Sequence, residues 1–295
     1  MIWVDPPTWP AHGTVFGHLV SDSSLGELHA FARRVALPAG AFDHDHYDVP
    51  ARRYDDLLDA GAHLVGAKEL LQRLVASGLR VRPTQKQPDR AASVRLVRRH
   101  WEAAPPAPDG VRDDLLSRWG EPHRRYHDVR HLAQVLGALD ALGNDDPLVT
   151  LAAWFHDAVY AGRAGDDEEA SAELARSTLG PHLGAEAVAE VGRLVALTAT
   201  HAPAPGDTRG ALLADADLSI LAVSEARYHV YARDVRVEYA HVGEAAFVAG
   251  RAGVLRRLLA LEPLFRRAHA WADAARANLT AELAHLEASG RPLVG

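Results

Sequence analysis

Two regimes of hydrophobic patterning follow one another along the chain. Over residues 1–82, short apolar runs alternate with brief amphipathic stretches. Residues 2–5 predict a strand stopped by Pro6 and Pro7, 15–20 predict a second, and 62–65 a third. Ser24, three residues before Glu27, predicts the start of a helix running to 37, where Pro38 and Gly40 end it. Residues 50–59 and 67–76 read as helices closed by Gly61 and Gly78. The polar stretch from Phe42 to Asp48 lies between the helix ending at 37 and the one starting at 50.

Beyond a polar linker the period changes. A helix is expected over 91–102, then a proline-rich break over 103–110, and from 111 onward every periodic segment is helical. The expected helices are 113–119, 130–142, 148–159, 166–179, 185–200, 212–223, 225–239, 244–260 and 263–286, punctuated by Gly and Pro. The pattern therefore describes a multidomain chain. A small α/β domain occupies 1–82, a linker 83–92, and an all-α bundle 93–290.

Composition narrows the functional classes. The 295 residues carry a net charge of −7, 48% hydrophobic residues and no cysteine. Disulfides, thiolate metal sites and cysteine nucleophiles are excluded. The acidic balance gives no strong nucleic-acid signal, and the arginines of 91–102 lack the interleaved aromatics of a nucleic-acid surface. No apolar run is long enough to span a bilayer and the N-terminus lacks a signal-peptide pattern, so a cytoplasmic protein with no membrane partner is expected. Lys68 and Lys86 are the only lysines, so a phosphate held beyond residue 86 would meet arginine, backbone amides or metal.

The candidate chemistry lies in three helical segments: Tyr126-His127-Asp128-Val129-Arg130-His131, Trp154-Phe155-His156-Asp157 and Ala214-Asp215-Ala216-Asp217. His127 and His131 stand one helical turn apart; if a helix starts between them, His127 sits at its mouth. His156 and Asp157 end an otherwise apolar helix, and Asp217 has a similar apolar setting. Carboxylates so placed must be paired, hydrogen-bonded or metal-bound. Imidazoles with carboxylates suit a hard or borderline divalent ion.

The order His131, His156-Asp157, Asp217 resembles the HD superfamily of metal-dependent phosphohydrolases over roughly residues 93–290. The likeness is to an uncharacterised bacterial branch with Trp-Phe-His-Asp-Ala-Val-Tyr and Glu-Tyr-Ala-His-Val. Tyr126-His127 to His131 is also similar to the histidine motif of cyclic-nucleotide phosphodiesterases. The resemblance implies that His131, His156, Asp157 and Asp217 hold a divalent ion (Mn, Mg, Co, Ni, Zn or Fe), one or two per chain. It implies a general acid in His127, a bridging role for Asp157, and in His201 a further metal ligand, with His182 the weaker candidate. Glu168 is a candidate base or water-positioning residue, with a helix-start acid as the simpler reading. Arg236 and Arg251 are candidates to clasp phosphate, with Glu238 orienting one of them, or else to form helix–helix salt bridges. Asp215 is expected to support an imidazole or to open a helix.

The expected function is hydrolysis of a phosphoester or phosphoanhydride in a nucleotide or other small phosphorylated metabolite. The alternatives are an HD-type di-iron oxygenase, which needs His182 with His201, and a metal-bound regulatory or sensor module. Association through helix faces would give a homodimer.

The front segment resembles a small bacterial N-terminal domain of unknown function, through Val4-Asp5-Pro6, Trp9-Pro10-Ala11-His12-Gly13, His18-Leu19-Val20-Ser21-Asp22, Glu27-Leu28-His29-Ala30-Phe31-Ala32 and His46-Tyr47-Asp48-Val49-Pro50. Its run Asp43-His44-Asp45-His46-Tyr47-Asp48, with His12, His18 and Asp22, is either a pair of capped loops or a second site for metal or phosphate.

Overall fold

In the computed structural model, residues 1–83, 86, 89–102, 107–163 and 165–293 are described, Ala39 by its backbone alone. A small α/β region precedes a mostly helical one. Contacts divide the chain into two units: Met1–Lys86 with Ser224–Arg233 and Arg291–Gly295, and Gln87–Val223 with Asp234–Gly290.

The first unit is built on a six-stranded mixed sheet. Its strands are β1 (Ile2–Val4), β2 (Trp9–Ala11), β3 (Thr14–Ser21), β4 (Phe42–Asp43), β5 (His46–Pro50) and β6 (His63–Leu64), ordered β4-β5-β3-β1-β6 with β2 on β3. β1 and β6 are parallel; the remaining pairs are antiparallel. Helices α1 (Leu25–Arg34), α2 (Tyr54–Asp59) and α3 (Ala67–Ala76) supply Leu28, Leu57 and Leu74 to a core with Val4, Leu19 and Val49. The expected Ser24 cap forms, its Oγ accepting the Glu27 amide at 3.1 Å. The Glu27 carboxylate does not complete a capping box; it accepts from Ser21 Oγ and the N-terminal amine. The helix stops at Arg34, three residues short of expectation, and Ala36 takes a left-handed φ of 52°.

The polar run Phe42 to Asp48 is not a loop but β4, a turn through His44, and β5. His46 and Asp48 fall on β5, so the alternation of a strand decides where they point.

The second unit consists of α4 (Arg90–Glu102), α5 (Asp109–Trp119), α6 (Val129–Ala141), α7 (Pro147–Phe155), α8 (Asp166–Leu179), α9 (Ala185–Leu197), α10 (Thr208–Asp217), the last turns of α11 (Glu225–Glu238), α12 (Glu244–Leu259) and α13 (Ala272–Ser289). Of the expected linker, residues 84, 85, 87 and 88 lie outside the described residues, and Arg90 already belongs to α4; of the proline-rich break, 103–106 lie outside them, and Asp109 and Gly110 are helical. The helix expected from Pro263 begins only at Ala272. Among the described residues no helix is long and apolar enough to cross a membrane.

The apolar helix α7 lies in the middle of the core. Val149, Leu151, Ala152, Ala153, Trp154 and Phe155 are fully buried. Trp101 packs edge-on against Trp154 at 4.9 Å, and Trp119 Nε1 donates to the Trp154 carbonyl at 3.0 Å. This packing fixes the end of α7, and with it the two residues that follow.

Candidate metal centre

α6 starts between the two histidines. Asp128 is its cap, accepting the Arg130 amide at 2.8 Å, so His127 precedes the helix and His131 sits in its first turn. Arg90 Nε and the Arg130 guanidinium also donate to the buried Asp128 carboxylate, holding the cap from both sides. α7 ends at Phe155, one residue before His156. His156 turns back to donate its Nδ1–H to the Ala153 carbonyl at 2.7 Å. That bond fixes the ring orientation through Nδ1 and aims Nε2 at the neighbouring side chains. Asp217 closes α10.

These three helix ends bring four side chains together. His131 Nε2 lies 3.1 Å from His156 Nε2, 3.1 Å from Asp217 Oδ1 and 3.8 Å from Asp157 Oδ2. His156 Nε2 lies 3.4 Å from Asp157 Oδ2 and 3.6 Å from Asp217 Oδ1. Ligands held about 2.0–2.2 Å from one ion are separated by roughly 3–3.6 Å; four of these five separations fall in that range and the His131–Asp157 one, at 3.8 Å, lies just beyond it. The imidazoles form the floor, each 1% exposed; the carboxylates form the rim, at 16% for Asp157 and 12% for Asp217. Two facing Nε2 atoms with two carboxylates suit a divalent cation, and His131, His156 and Asp157 form a group able to hold one.

Burial alone would raise the Asp157 and Asp217 carboxyls; the neighbouring histidines outweigh it and hold both well below the usual carboxylate range. Burial lowers His131, whereas at His156 the pull of Asp157 and Asp217 exceeds burial and lifts it to about 9. His131 Nδ1 is buried without a hydrogen-bond partner among the described residues; its ring packs on Tyr126 at 4.7 Å.

Beside this cluster stands a second, linked arrangement. His127 Nδ1 donates to Glu238 Oε2 at 2.7 Å. Glu238 Oε1 accepts the amides of Arg125, Tyr126 and His127 at 2.6, 2.8 and 2.9 Å, and Tyr160 Oη donates to Oε2 at 2.9 Å. Burial opposes the Glu238 charge, but His127 and the amides bring its carboxyl to about 2. Burial likewise opposes charge on His127, and Glu238, Asp157 and Asp217 reverse this and raise its pKa. The Tyr160 ring stacks on His127 at 4.4 Å, and burial with the Glu238 charge keeps its hydroxyl protonated.

Several sequence-based assignments are placed differently. His201 Nε2 meets Asp217 Oδ2 at 2.7 Å, so it reaches the cluster through that carboxylate. His182 is exposed in a turn after α8. Glu168 accepts the Gly165 amide at 2.5 Å at the start of α8, the helix-start role given as its simpler reading, and no hydrogen bond or ion pair joins it to the cluster among the described residues. Arg236 donates to the Tyr239 and Val242 carbonyls and lies over Phe247. Arg251 is buried and paired in two parallel bonds of 2.8 Å with Glu282, between α12 and α13. Both arginines are thus engaged by protein groups, and Arg251 forms the helix–helix salt bridge given as the alternative to clasping phosphate. Glu238 orients His127 and not Arg236. Asp215 accepts the amides of Arg266, Arg267 and Ala268 and neither touches an imidazole nor opens a helix.

Sequence reasoning missed Arg124. Fully buried, it donates to the carbonyls of His127, Asp157 and Ala158 at 3.0, 2.8 and 3.2 Å and to Glu121. It satisfies carbonyls just past the end of α7 and ties the His127 segment to that turn. Its signal was weak, because Arg124 reads as one of two adjacent arginines in a polar turn.

Residues 2–77 match a family model described as a protein of unknown function (DUF4031). No HD-domain family match is found for the helical region. No curated protein matches the chain. No solved structure matches it.

Proposed function

We propose that the helical unit is a metal-dependent phosphohydrolase of the HD type, acting on a phosphoester or phosphoanhydride of a nucleotide or other small phosphorylated metabolite. The observation that carries this reading is the meeting of His131, His156, Asp157 and Asp217, with separations of 3.1–3.8 Å measured from the two imidazole Nε2 atoms, on segments 25 to 86 residues apart in sequence. A divalent ion held there supplies Lewis-acid polarisation of a phosphoryl oxygen and acidifies water.

The remaining chemistry belongs to the chain itself. Glu238 anchors His127 through Nδ1 and favours its protonated form, leaving Nε2 to pass a proton to a departing oxygen. Tyr160 holds the far side of the Glu238 carboxylate and covers the His127 ring. His201 fixes the outer oxygen of Asp217, which leaves Oδ1 toward the imidazoles. Arg124 steadies the backbone of Asp157 and His127 together. The His127–Glu238 pair favours hydrolysis over the oxygenase alternative, whose additional ligand His182 is exposed in a turn.

The test is a phosphate-release screen over nucleotides and sugar phosphates with Mn, Mg, Co, Ni, Zn and Fe, run beside Asp157→Ala. Metal-dependent release that falls at least 100-fold in Asp157→Ala is expected. Release indifferent to that substitution would remove the proposed centre, and mixed-valent iron with oxygen uptake would favour the oxygenase.

A further inference from the structure

The first unit holds another convergence of imidazole and carboxylate, built on strands. β3 and β5 pair with His18 opposite Asp48. His46 stands two residues before Asp48 on β5 and shares its face of the sheet. The His18 and His46 rings meet at 5.1 Å, and Asp48 Oδ1 lies 3.4 Å from His46 Nε2 and 4.0 Å from His18 Nε2.

Behind each imidazole is a buried carboxylate. His18 Nδ1 donates to Asp5 Oδ2 at 3.2 Å and His46 Nδ1 to Asp45 Oδ1 at 2.5 Å. Asp5 is 1% exposed and Asp45 0%. Each carboxylate is itself tied down: Asp5 by the His18 amide, Asp45 by the Val81 amide at 2.6 Å and the Arg80 guanidinium at 3.2 Å. The Asp5 backbone approaches so closely that a Cβ on Gly17 would lie 2.5 Å from its carbonyl oxygen, so glycine is required beside His18.

A carboxylate on Nδ1 fixes the proton there and presents the Nε2 lone pair outward, as in metal-bound histidines. Here two such pairs aim at one place, beside a third carboxylate. A plain surface ladder of His and Asp needs only the carboxylate between the rings. It does not explain why two more are buried behind them, where desolvation opposes charge.

We propose that His18, His46 and Asp48 form a second metal site, binding a borderline divalent cation of the zinc class with three protein ligands. Asp5 and Asp45 are positioning residues for the two imidazoles. Asp48 is 45% exposed and His18 24%, so the site faces solvent and leaves a coordination position for water or an incoming ligand atom. The assignment does not depend on the helical centre.

The experiment is Zn2+ titration of the chelator-treated full-length chain by calorimetry, with Co2+ as a visible-absorption probe of coordination. A full-length His156→Ala/Asp157→Ala variant removes the helical centre. It is expected to retain one tight equivalent of Zn2+ and a tetrahedral Co2+ spectrum. Adding Asp48→Ala, at a side chain that is 45% exposed, should abolish both while the thermal melt is retained, and adding His46→Ala should also abolish both. Asp45→Asn, which keeps every ligand, should weaken Zn2+ roughly 10–100-fold. A His156→Ala/Asp157→Ala chain that binds no Zn2+, or binding unchanged by Asp48→Ala, overturns the proposal. Either result leaves the phosphate-release reading of the helical unit standing.

Discussion

At the scale of single residues, the pairing of His127 with Glu238 makes a prediction whose sign can be worked out. Glu238 and the nearby carboxylates raise the His127 pKa, so the acid form persists to higher pH than for an ordinary histidine. The rate should fall as pH rises through that raised value. Glu238→Gln removes the largest opposing charge, lets burial depress His127, and should move the alkaline limb of kcat/KM to lower pH. The rate on the alkaline side should fall on the order of 100-fold, within the usual range for a positioned general acid. A pH profile in which the limb does not move would separate Glu238 from proton transfer. Arg251 gives the contrasting case. It is locked against Glu282 with both side chains nearly dry, so Arg251→Met takes the bidentate guanidinium away from a buried carboxylate. A loss of about 3–5 kcal/mol in denaturant unfolding is expected. Arg251→Met/Glu282→Leu should recover much of it, with metal stoichiometry unchanged in both variants. A residue that clasped substrate would instead change KM at constant stability.

At the scale of elements, both clusters depend on where an element stops or how it alternates. The helical centre is assembled from ends: the capped start of α6, the last residue of α10, and the turn after α7 held by Arg124. A helix end carries polar groups that intrahelical bonds leave unsatisfied, and it is there that Asp128, Arg124 and His156 find partners. The strand cluster depends on β5. Phe42 to Asp48 has the composition of a turn-rich loop, yet pairing with β3 makes its last part extended. Local propensity points one way and the sheet edge another, and the edge prevails because backbone pairing over Phe16 to Leu19 offers a ladder no loop could match.

For the whole molecule, acid stability has an identifiable contributor. Burial, then the charges of Arg233 and Arg33, lower His29 to about 4. Its folded pKa lies below the ordinary value of 6.5, so the unfolded chain binds the proton first. The stability from keeping His29 neutral is complete above about pH 6.5. It is lost as pH falls from there through about 4, by up to about 3 kcal/mol. Thermal melts should show this slope, and His29→Leu should flatten it over the same interval. An unchanged slope would assign acid lability to other groups. Glu238 acts lower on the scale: its depressed carboxyl stabilises the fold above about 4.5, and that contribution disappears as pH falls through about 2.

The sequence by itself determined the two-part architecture, because a change from short apolar runs to helical periodicity needs no partner to be legible. It also determined which four side chains were candidates for the helical centre, since carboxylates and imidazoles set among Leu, Ala, Val and Trp stand out as groups that burial must satisfy. Tertiary structure alone decided what surrounds them. Whether Glu168, Arg236 or Arg251 faces a ligand or a protein group depends on elements far away in sequence, and Arg251 meets Glu282 across 31 residues. Glu238 reaches His127 across 111. The pairing of β3 with β5 likewise set His18 opposite Asp48, a register that neither segment encodes without the other.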